Sequence, residues 1–395
     1  MNKPVYVFIF FVFALFLNNC VAEESERSLN RVYESEENLN ILVPEEIYSV
    51  EGMPLDIFFD NLILSDDSDK YKYEILINGK KRGRVYRRKW VFYPLKDDLG
   101  KNQLEIKIIN PQTNDKKSSV ITTLLVASKD KKTKAKILSI GDSLGHQSRF
   151  PSRLYELFKL KGEEKNIEFL GSHFPKGSLV KHEHYGGWTW QKFITFYQPG
   201  KENIHHASKS PFVFVNDKTN LPELNFSEYI YKTLKGEKPD IIIILLGIND
   251  AWTLDIDNPA IFEKGLENII NNAHRLVNDI ITVIPDVKIG IGMVIPANYS
   301  KRSFQDIYQD STSPWRWKRI NYALNAFYLK AFTSNKNVTI LPTHLGVDTI
   351  EHYNSHKFIP DKVGYSVSHV VHPNSEGDMA IAKVLYYWVE NIKWE

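Results

Sequence analysis

The sequence predicts a three-layer α/β domain that follows a small β-sandwich domain. Residues 135–395 alternate short apolar runs with amphipathic stretches, which is the pattern of a parallel sheet covered by helices on both faces. Residues 41–128 contain short runs rich in β-branched and aromatic residues without helical periodicity, typical of an antiparallel sandwich of immunoglobulin-like size. The length of 395 residues accommodates both domains.

Composition and charge narrow the class of partner. Hydrophobic residues make up 43% of the chain and charged residues 25%, as in ordinary globular proteins. The 50 Lys and Arg residues nearly balance the 48 Asp and Glu residues. A chain this close to neutral has no strong field to attract nucleic acid or an anionic membrane, so neither is expected as a partner.

The N-terminus has the features of an export signal. Lys3 supplies a positive charge, and the apolar run Val5–Leu17 is too short to span a membrane. Cys20, the only cysteine, follows the run where bacterial lipoproteins carry their lipid. We therefore expect a signal peptide over 1–22, with membrane anchoring through a lipid on Cys20 or ordinary cleavage after Ala22. The protein would then be secreted or held in a bacterial cell envelope.

Polar and β-rich segments follow the signal in order. Residues 23–40 are rich in Glu, Ser and Asn and predict a solvated tether, and residues 129–134 predict a lysine-rich linker. Between them, Asn78-Gly79 is a strong hairpin signal. The strands predicted in the sandwich are 55–64, 71–77, 89–93, 103–109 and 120–127.

After the linker, runs with the hydrophobic pattern of strands alternate with runs that have the hydrophobic pattern of helices. The strand predicted at 239–246 contains the continuous apolar run 241–246, as expected of a strand buried on both faces. Asn258-Pro259 predicts the start of a long helix. In folds of this kind the active site lies beyond the carboxyl ends of the strands. The other predicted strands are 135–140, 167–170, 287–295 and 338–341, and the other helices are 151–160, one from 313–314 onward and 374–392.

Four short motifs fall at or near such strand ends. Ser143 follows a strand and a Gly-Asp turn, where its hydroxyl and backbone N–H could serve as nucleophile and oxyanion donor together. Asn249 lies in a turn after the buried strand, and Gly187 lies in a Gly-Gly-Trp-Thr loop; both can donate to a developing oxyanion. His372 precedes Pro-Asn and the final helix, where it can act as a general base. Each motif alone is common, as an N-cap serine, a tight turn or a structural histidine.

In this order the motifs resemble the SGNH, or GDSL, hydrolases, over about residues 135–395. The resemblance implies a flavodoxin-like sheet, Ser143 as nucleophile and His372 as general base. It also implies an oxyanion hole formed by the Ser143 and Gly187 N–H groups and the Asn249 side chain, with Gly186 as the alternative to Gly187. The matching blocks are Gly141-Asp142-Ser143-Leu144, Gly186-Gly187-Trp188-Thr189, Gly247-Ile248-Asn249-Asp250 and His372-Pro373-Asn374.

One position departs from the family pattern. The family usually has Asp three residues before its histidine, where it orients the ring, and this chain has His369 there. The site is therefore expected to be a Ser-His dyad, with a backbone carbonyl or a carboxylate from elsewhere, such as Asp348 or Asp361, as acceptor. A metal site joining His369 and His372 to His182 or His184 is the less favoured alternative, because supporting Cys or paired carboxylates are missing.

The resemblance implies hydrolysis of an ester through an acyl-enzyme, with no cofactor. Trp188 and Trp252 lie next to motif residues, and their rings would suit a sugar. The resemblance to secreted two-domain members of the family implies deacetylation of a polysaccharide, so we expect an O-acylated, in particular O-acetylated, carbohydrate as substrate. Three alternatives stay open: a lipid or general-ester hydrolase, an O-acyltransferase, and a surface binding protein with a degenerate hydrolase domain.

Overall fold

The N-terminal strands form two sheets in the computed structural model, which describes residues 39–200, 208–354 and 369–393. A five-stranded sheet has the order β1-β8-β7-β3-β4, and a three-stranded sheet has the order β2-β6-β5. The strands are β1 (Glu46–Val50), β2 (Leu55–Phe58), β3 (Lys72–Ile77), β4 (Lys80–Lys81), β5 (Arg84–Val85), β6 (Lys89–Phe92), β7 (Gly100–Ile109) and β8 (Lys116–Ala127).

These sheets differ from the expected sandwich in two places. Strand β1 pairs with β8 in parallel, so the larger sheet is not purely antiparallel. The strand predicted over 55–64 ends at Phe58, because the chain turns into a short 3₁₀ helix, Phe59–Asn61, whose polar side chains contact the α/β part. The immunoglobulin-like topology stays a prediction, whereas the strands themselves are present.

The second half contains the predicted parallel sheet. Its order is β10-β9-β14-β15-β16, all pairs being parallel, and β11 adds to the free end of β9. The strands of this half are β9 (Ala135–Gly141), β10 (Ile167–Leu170), β11 (Glu183–His184), β12 (Val213–Val215), β13 (Pro222–Leu224), β14 (Ile241–Leu245), β15 (Lys288–Gly292) and β16 (Val338–Leu341).

Helices connect and cover these strands, and together they form an α/β fold around the parallel sheet. No helix in the described part of the chain is long and apolar enough to cross a lipid bilayer. The helices are α1 (Ser143–His146), α2 (Arg149–Leu160), α3 (Trp190–Thr195), α4 (Phe226–Glu228), α5 (Ile248–Ala251), α6 (Pro259–Val283), α7 (Lys301–Tyr308), α8 (Pro314–Phe332) and α9 (Ser375–Asn391).

The core follows the apolar pattern of the sequence. Every residue of β14 is buried, as its uninterrupted Ile-Leu run predicts. Helix α6 begins after Asn258, whose side chain accepts a hydrogen bond from the Ile261 N–H. The residues predicted to form its apolar face are buried, namely Phe262, Leu266, Ile269, Ile270, Ala273, Val277 and Ile280.

The predicted linker at 129–134 is only partly solvated. The Lys131 ammonium group donates to the carbonyls of Glu390 and Ile392, at 2.5 and 2.6 Å, and Thr133 is fully buried. The described residues from Ile41 onward belong to one compact unit, while the domain boundary proposed at this segment stays a prediction. The predicted signal peptide and Cys20 lie outside the described residues.

Arg88 joins the N-terminal sheets to the loop after β16. Its guanidinium group donates to Asp60 at 3.1 Å, to Asp348 at 2.9 Å and to the Thr349 hydroxyl at 2.9 Å. Burial alone would raise the pKa of Asp60, but the hydrogen bond from Ser68 and nearby positive charges lower it overall. Arg88 therefore compensates charge on both carboxylates, and Lys318 adds to this compensation at Asp60.

Replacing Arg88 with Met should lower the free energy of unfolding by about 3–5 kcal/mol, because it removes the cation that contacts both buried carboxylates. The matched control is Arg87→Met, which removes the 82% exposed partner of Asp69 and should cost below about 1 kcal/mol. Urea unfolding at neutral pH measures both variants. Equal losses for the two would contradict this role of Arg88.

Candidate active site

Ser143 occupies the first turn of α1, directly beyond the carboxyl end of β9. Asp142 caps this helix through a 3.0 Å hydrogen bond from the Leu144 N–H, which fixes the turn on which the serine stands. The Ser143 hydroxyl lies 2.8 Å from Nε2 of His372. The structure thus brings the predicted nucleophile and base into hydrogen-bonding contact, although 229 positions separate them in the chain.

The loop that carries His372 is held from both sides. The Arg149 guanidinium group donates to the Pro373 carbonyl at 2.6 Å, and the Asn374 N–H donates to the His352 carbonyl at 2.8 Å. Asn374 then caps α9, as the Pro-Asn pair predicts. Sequence reasoning missed Arg149, because nothing in its local sequence distinguishes it from a surface arginine.

Three candidate oxyanion donors come from three different connections. Asn249 lies in α5 and uses one amide hydrogen to donate to the Trp188 carbonyl at 2.9 Å, which orients the side chain and leaves the second hydrogen available. Gly187 is exposed and has φ +72°, a conformation that favours glycine. Among the described residues, no acceptor bonds the N–H of Ser143 or of Gly187. These donors are available to a reacting carbonyl.

No carboxylate among the residues that the structure describes orients the His372 ring. Asp348 is engaged by Arg88 and by nearby backbone N–H groups, and Asp361 lies outside the described residues. Instead, the His369 ring packs against the His372 ring with centroids 3.9 Å apart and planes inclined by 32°. Within the described chain, His369 therefore supports the base by ring packing and supplies no counter-charge.

The surroundings of His372 favour its neutral form. Burial, followed by the neighbouring His369 and Arg149, lowers the pKa of His372 to about 4. The imidazole is therefore unprotonated at neutral pH. Because Nε2 faces a hydroxyl whose proton it must accept, the tautomer suited to a general base carries its hydrogen on Nδ1.

Two carboxyl groups lie buried below the site. Burial raises the pKa of Asp142 to about 7 and that of Asp250 to about 7, even though both accept backbone hydrogen bonds. Each group therefore carries only part of a negative charge at neutral pH. This lowers the repulsion that a full carboxylate next to Ser143 would exert on a developing oxyanion.

The two predicted substrate-binding tryptophans have different environments. Trp188 is 1% exposed and packs against Tyr185 and Phe193, so its ring has no face available to a ligand. This corrects the expectation that Trp188 lines the substrate site: its backbone carbonyl orients Asn249, while its ring belongs to the core. Trp252 is 39% exposed and packs against Trp317, so it retains an accessible surface next to the Asn249 helix.

Four imidazoles form a row that begins at the last residue of α1. We call it the imidazole row, and its members are His146, His173, His182 and His184. Successive ring centroids lie 4.9 to 5.1 Å apart. Burial lowers the pKa values of its inner members, that of His182 to about 3. Within residues 39–200, 208–354 and 369–393, no group of three or more His, Cys, Asp or Glu side chains could hold a metal ion.

The innermost imidazole shapes the turn that carries Ser143. His184 Nε2 lies 2.8 Å from the Ser139 hydroxyl, and its ring fits against Gly141 and Gly145, where an added Cβ would approach Nδ1 to 2.4 and 2.3 Å. The His146 ring also lies 3.1 Å from the His184 carbonyl. The two glycines are therefore required because the imidazole occupies the space beside them. Sequence patterns did not reveal this role.

We expect His184→Ala to slow phosphonylation of Ser143 by a fluorophosphonate by about 10- to 100-fold, since the cavity lets the turn shift away from His372. The control is His173→Ala, a half-buried member of the imidazole row between His146 and His182, which should react at nearly the wild-type rate. Mass spectrometry gives the rates, and thermal melting reports the folded fraction. A folded His184→Ala protein that reacts normally would refute the positioning role.

Solved structures that resemble the chain are distant. A carbohydrate esterase family 3 protein from Talaromyces cellulolyticus is 18% identical with a TM-score of 0.39, covering 65% of this chain and 99% of its own. A family 3 carbohydrate esterase from Clostridium thermocellum is 17% identical with a TM-score of 0.36, covering 64% and 94%. A catalytic mutant of an acetylxylan esterase from Geobacillus stearothermophilus is 15% identical with a TM-score of 0.37, covering 66% and 95%.

Family membership comes from the sequence model of one family. No curated protein matches the chain significantly in sequence. The model described as GDSL-like Lipase/Acylhydrolase matches residues 137–385, which is more than half of the chain and includes Ser143, Gly187, Asn249 and His372. The resemblance seen in the four sequence blocks is thereby confirmed: the chain belongs to the GDSL-like lipase/acylhydrolase family and is a carboxylic ester hydrolase.

Proposed function

We propose that the protein is an exported esterase that removes O-acyl groups, in particular O-acetyl groups, from a carbohydrate through a Ser-His dyad. The observation that carries the mechanism is the 2.8 Å contact between the Ser143 hydroxyl and His372 Nε2. Export rests on the N-terminal apolar run and on Cys20, the proposed lipid attachment site.

Acylation of the serine begins the reaction. His372 Nε2 takes the Ser143 proton as the oxygen attacks the ester carbonyl carbon, and the carbonyl oxygen becomes an oxyanion. The Ser143 and Gly187 N–H groups and the free Asn249 amide hydrogen stabilise that charge. When the intermediate collapses, His372 returns the proton to the departing sugar oxygen, which leaves an acyl group on Ser143.

Deacylation repeats the same proton transfers with water. His372 accepts a proton from the water as its oxygen attacks the acyl carbon, and then protonates Ser143 as the carboxylic acid leaves. No carboxylate among the described residues contacts His372, and the oxyanion that forms next to the imidazolium helps to stabilise its charge. The reaction needs no cofactor.

Dense packing beside the turn that carries Ser143 supports a short acyl group. A cavity of about 10 Å³ borders this turn and is lined by Asp142, Leu144 and Ile248, among other residues. That space accommodates about one water molecule and is too small for an alkyl chain. The exposed face of Trp252 next to the Asn249 helix supports a sugar as the alcohol portion, because an aromatic ring offers an apolar stacking surface to a pyranose.

Activity should depend on Ser143 and His372 but much less on His369. We expect Ser143→Ala and His372→Ala each to lower kcat/KM for p-nitrophenyl acetate by at least about 10³-fold, as removal of a nucleophile or its base does. His369→Ala should retain more than about a tenth of the activity, since ring packing only supports the base. A His369 variant as inactive as the His372 variant would contradict this assignment.

Acyl length tests the acetylesterase proposal with the same assay. The rate should fall steadily from p-nitrophenyl acetate to butyrate and octanoate, because the cavity beside the Ser143 turn is too small for a long alkyl chain. A preference for octanoate would favour lipid hydrolysis instead. Turnover that does not depend on Ser143 would favour a binding protein with a degenerate site.

The pH profile should reveal the lowered pKa of His372. The base works only when Nε2 is unprotonated, so kcat/KM should be level above about pH 5 and fall about tenfold per unit below pH 4. In His369→Ala the acid limb should move to higher pH, because both the loss of burial and the loss of the neighbouring imidazole raise the pKa. A wild-type limb near pH 6.5 would contradict the structural environment of His372.

A further inference from the structure

A cavity of about 40 Å³ lies between the N-terminal sheets and the catalytic edge of the parallel sheet. It lies beyond β15 and β16, further along the same edge as Ser143 and Asn249. Val294 lines both this cavity and the smaller cavity beside the turn that carries Ser143. The polar residues that line it include Asn61, Lys318, Asn321, His344 and Trp317.

The two asparagines each present an unused acceptor. The Asn61 amide nitrogen donates to the carbonyls of His344 and Val347, both at 2.8 Å, which fixes its oxygen as the free atom. The Asn321 amide nitrogen donates to the Ile295 carbonyl at 3.2 Å, with the same consequence. Both amide oxygens are buried, and neither has a hydrogen-bond partner among the described residues.

His344 adds a third acceptor. Its Nε2 lies 3.2 Å from the Leu42 carbonyl, which can only accept, so Nε2 carries the hydrogen. Burial lowers the pKa of His344 to about 4, which keeps the ring neutral and leaves Nδ1 with a lone pair. That Nδ1 is buried and without a hydrogen-bond partner among the described residues.

Donors complete the set. The Trp317 indole N–H is buried and has no acceptor among the described residues. The Lys318 ammonium group donates to the Ser65 carbonyl at 2.7 Å and has further hydrogens to offer. Leaving a buried polar group unpaired destabilises the folded state, and native structures contain few such groups. Four of them on residues around one cavity indicate a site built for a polar occupant.

The pattern of donors and acceptors selects the occupant. Three acceptors disfavour an anion, and the Asp60 carboxylate in the same lining offsets the charge of the Lys318 ammonium group, so no net charge is left to select an ion. A hydroxyl group both donates and accepts, so neighbouring hydroxyls can satisfy acceptors and donors together. The volume corresponds to about two or three groups of water size, and apolar residues such as Val294 and Pro296 complete the wall.

We propose that this cavity binds adjacent hydroxyl groups of a sugar ring and forms a carbohydrate subsite next to the catalytic centre. The identity of the sugar as the alcohol portion of the ester rests on the proposed function. Trp317 packs against Trp252 with ring centroids 4.5 Å apart, which links the subsite to the exposed tryptophan beside the Asn249 helix. Asn61, in the 3₁₀ helix that follows β2, contributes to the cavity lining, so the N-terminal part of the chain takes part in the subsite.

Direct titration tests the proposal without requiring catalysis. Methyl β-xylopyranoside and methyl β-glucopyranoside should bind, as measured by ligand-observed NMR, whereas tetrahydropyran, the same ring without hydroxyls, should not. Asn321→Leu and Trp317→Phe should each weaken glycoside binding about tenfold, which corresponds to one lost hydrogen bond. The matched control is Trp315→Phe, on the same helix but outside the cavity lining, which should bind as the wild type does.

Hydrolysis separates this proposal from the esterase proposal. In Asn321→Leu, KM for an acetylated glycoside should rise about tenfold, whereas the Trp315→Phe control should keep the wild-type KM for that glycoside and the wild-type rate with p-nitrophenyl acetate. Glycoside binding without Ser143-dependent hydrolysis would uphold the subsite and overturn the esterase proposal. Equal binding of tetrahydropyran and the glycosides, or unchanged binding in both folded cavity variants, would show that the cavity holds only water and would overturn the subsite.

Discussion

The parallel pairing of β9 with β14 on one side and β11 on the other is the constraint on which the site depends. Gly141, at the end of β9, lies opposite Leu245 of β14 and His184 of β11. The connections that carry Ser143, Asn249 and Gly187 therefore leave the sheet side by side. The glycine is required because the His184 imidazole and the Leu245 carbonyl leave no room for a Cβ. One strand register thus determines both the position of the nucleophile and the direction of its oxyanion donors.

The groups that position His372 orient its ring but do not stabilise the positive charge of the imidazolium. Arg149 holds the loop through the Pro373 carbonyl, and His369 packs on the ring, but neither supplies a negative charge. Both also lower the pKa of His372. The consequence is a base that stays neutral over almost the whole physiological range. Among the described residues the imidazolium intermediate has no carboxylate partner, and the charge that forms on the substrate contributes to its stabilisation.

The N-terminal strands take part in the structure of the catalytic edge. Asn61 donates to two carbonyls of the loop after β16, and Arg88 binds Asp348 in the same loop. These contacts explain why the chain leaves the predicted strand after Phe58. They also close one side of the cavity around Trp317, which gives this part of the protein a role in the proposed recognition of a sugar.

The sequence by itself determined the strand and helix alternation, the buried β14, the catalytic motifs and the family, because these depend on local period and on short motifs at strand ends. Only the tertiary structure decided that His372 meets Ser143, that Trp188 is buried and that His184 supports the nucleophile turn. It also revealed Arg149 and the cavity around Asn321. These features depend on contacts between residues distant in the chain, whose burial and hydrogen-bond partners no local pattern encodes.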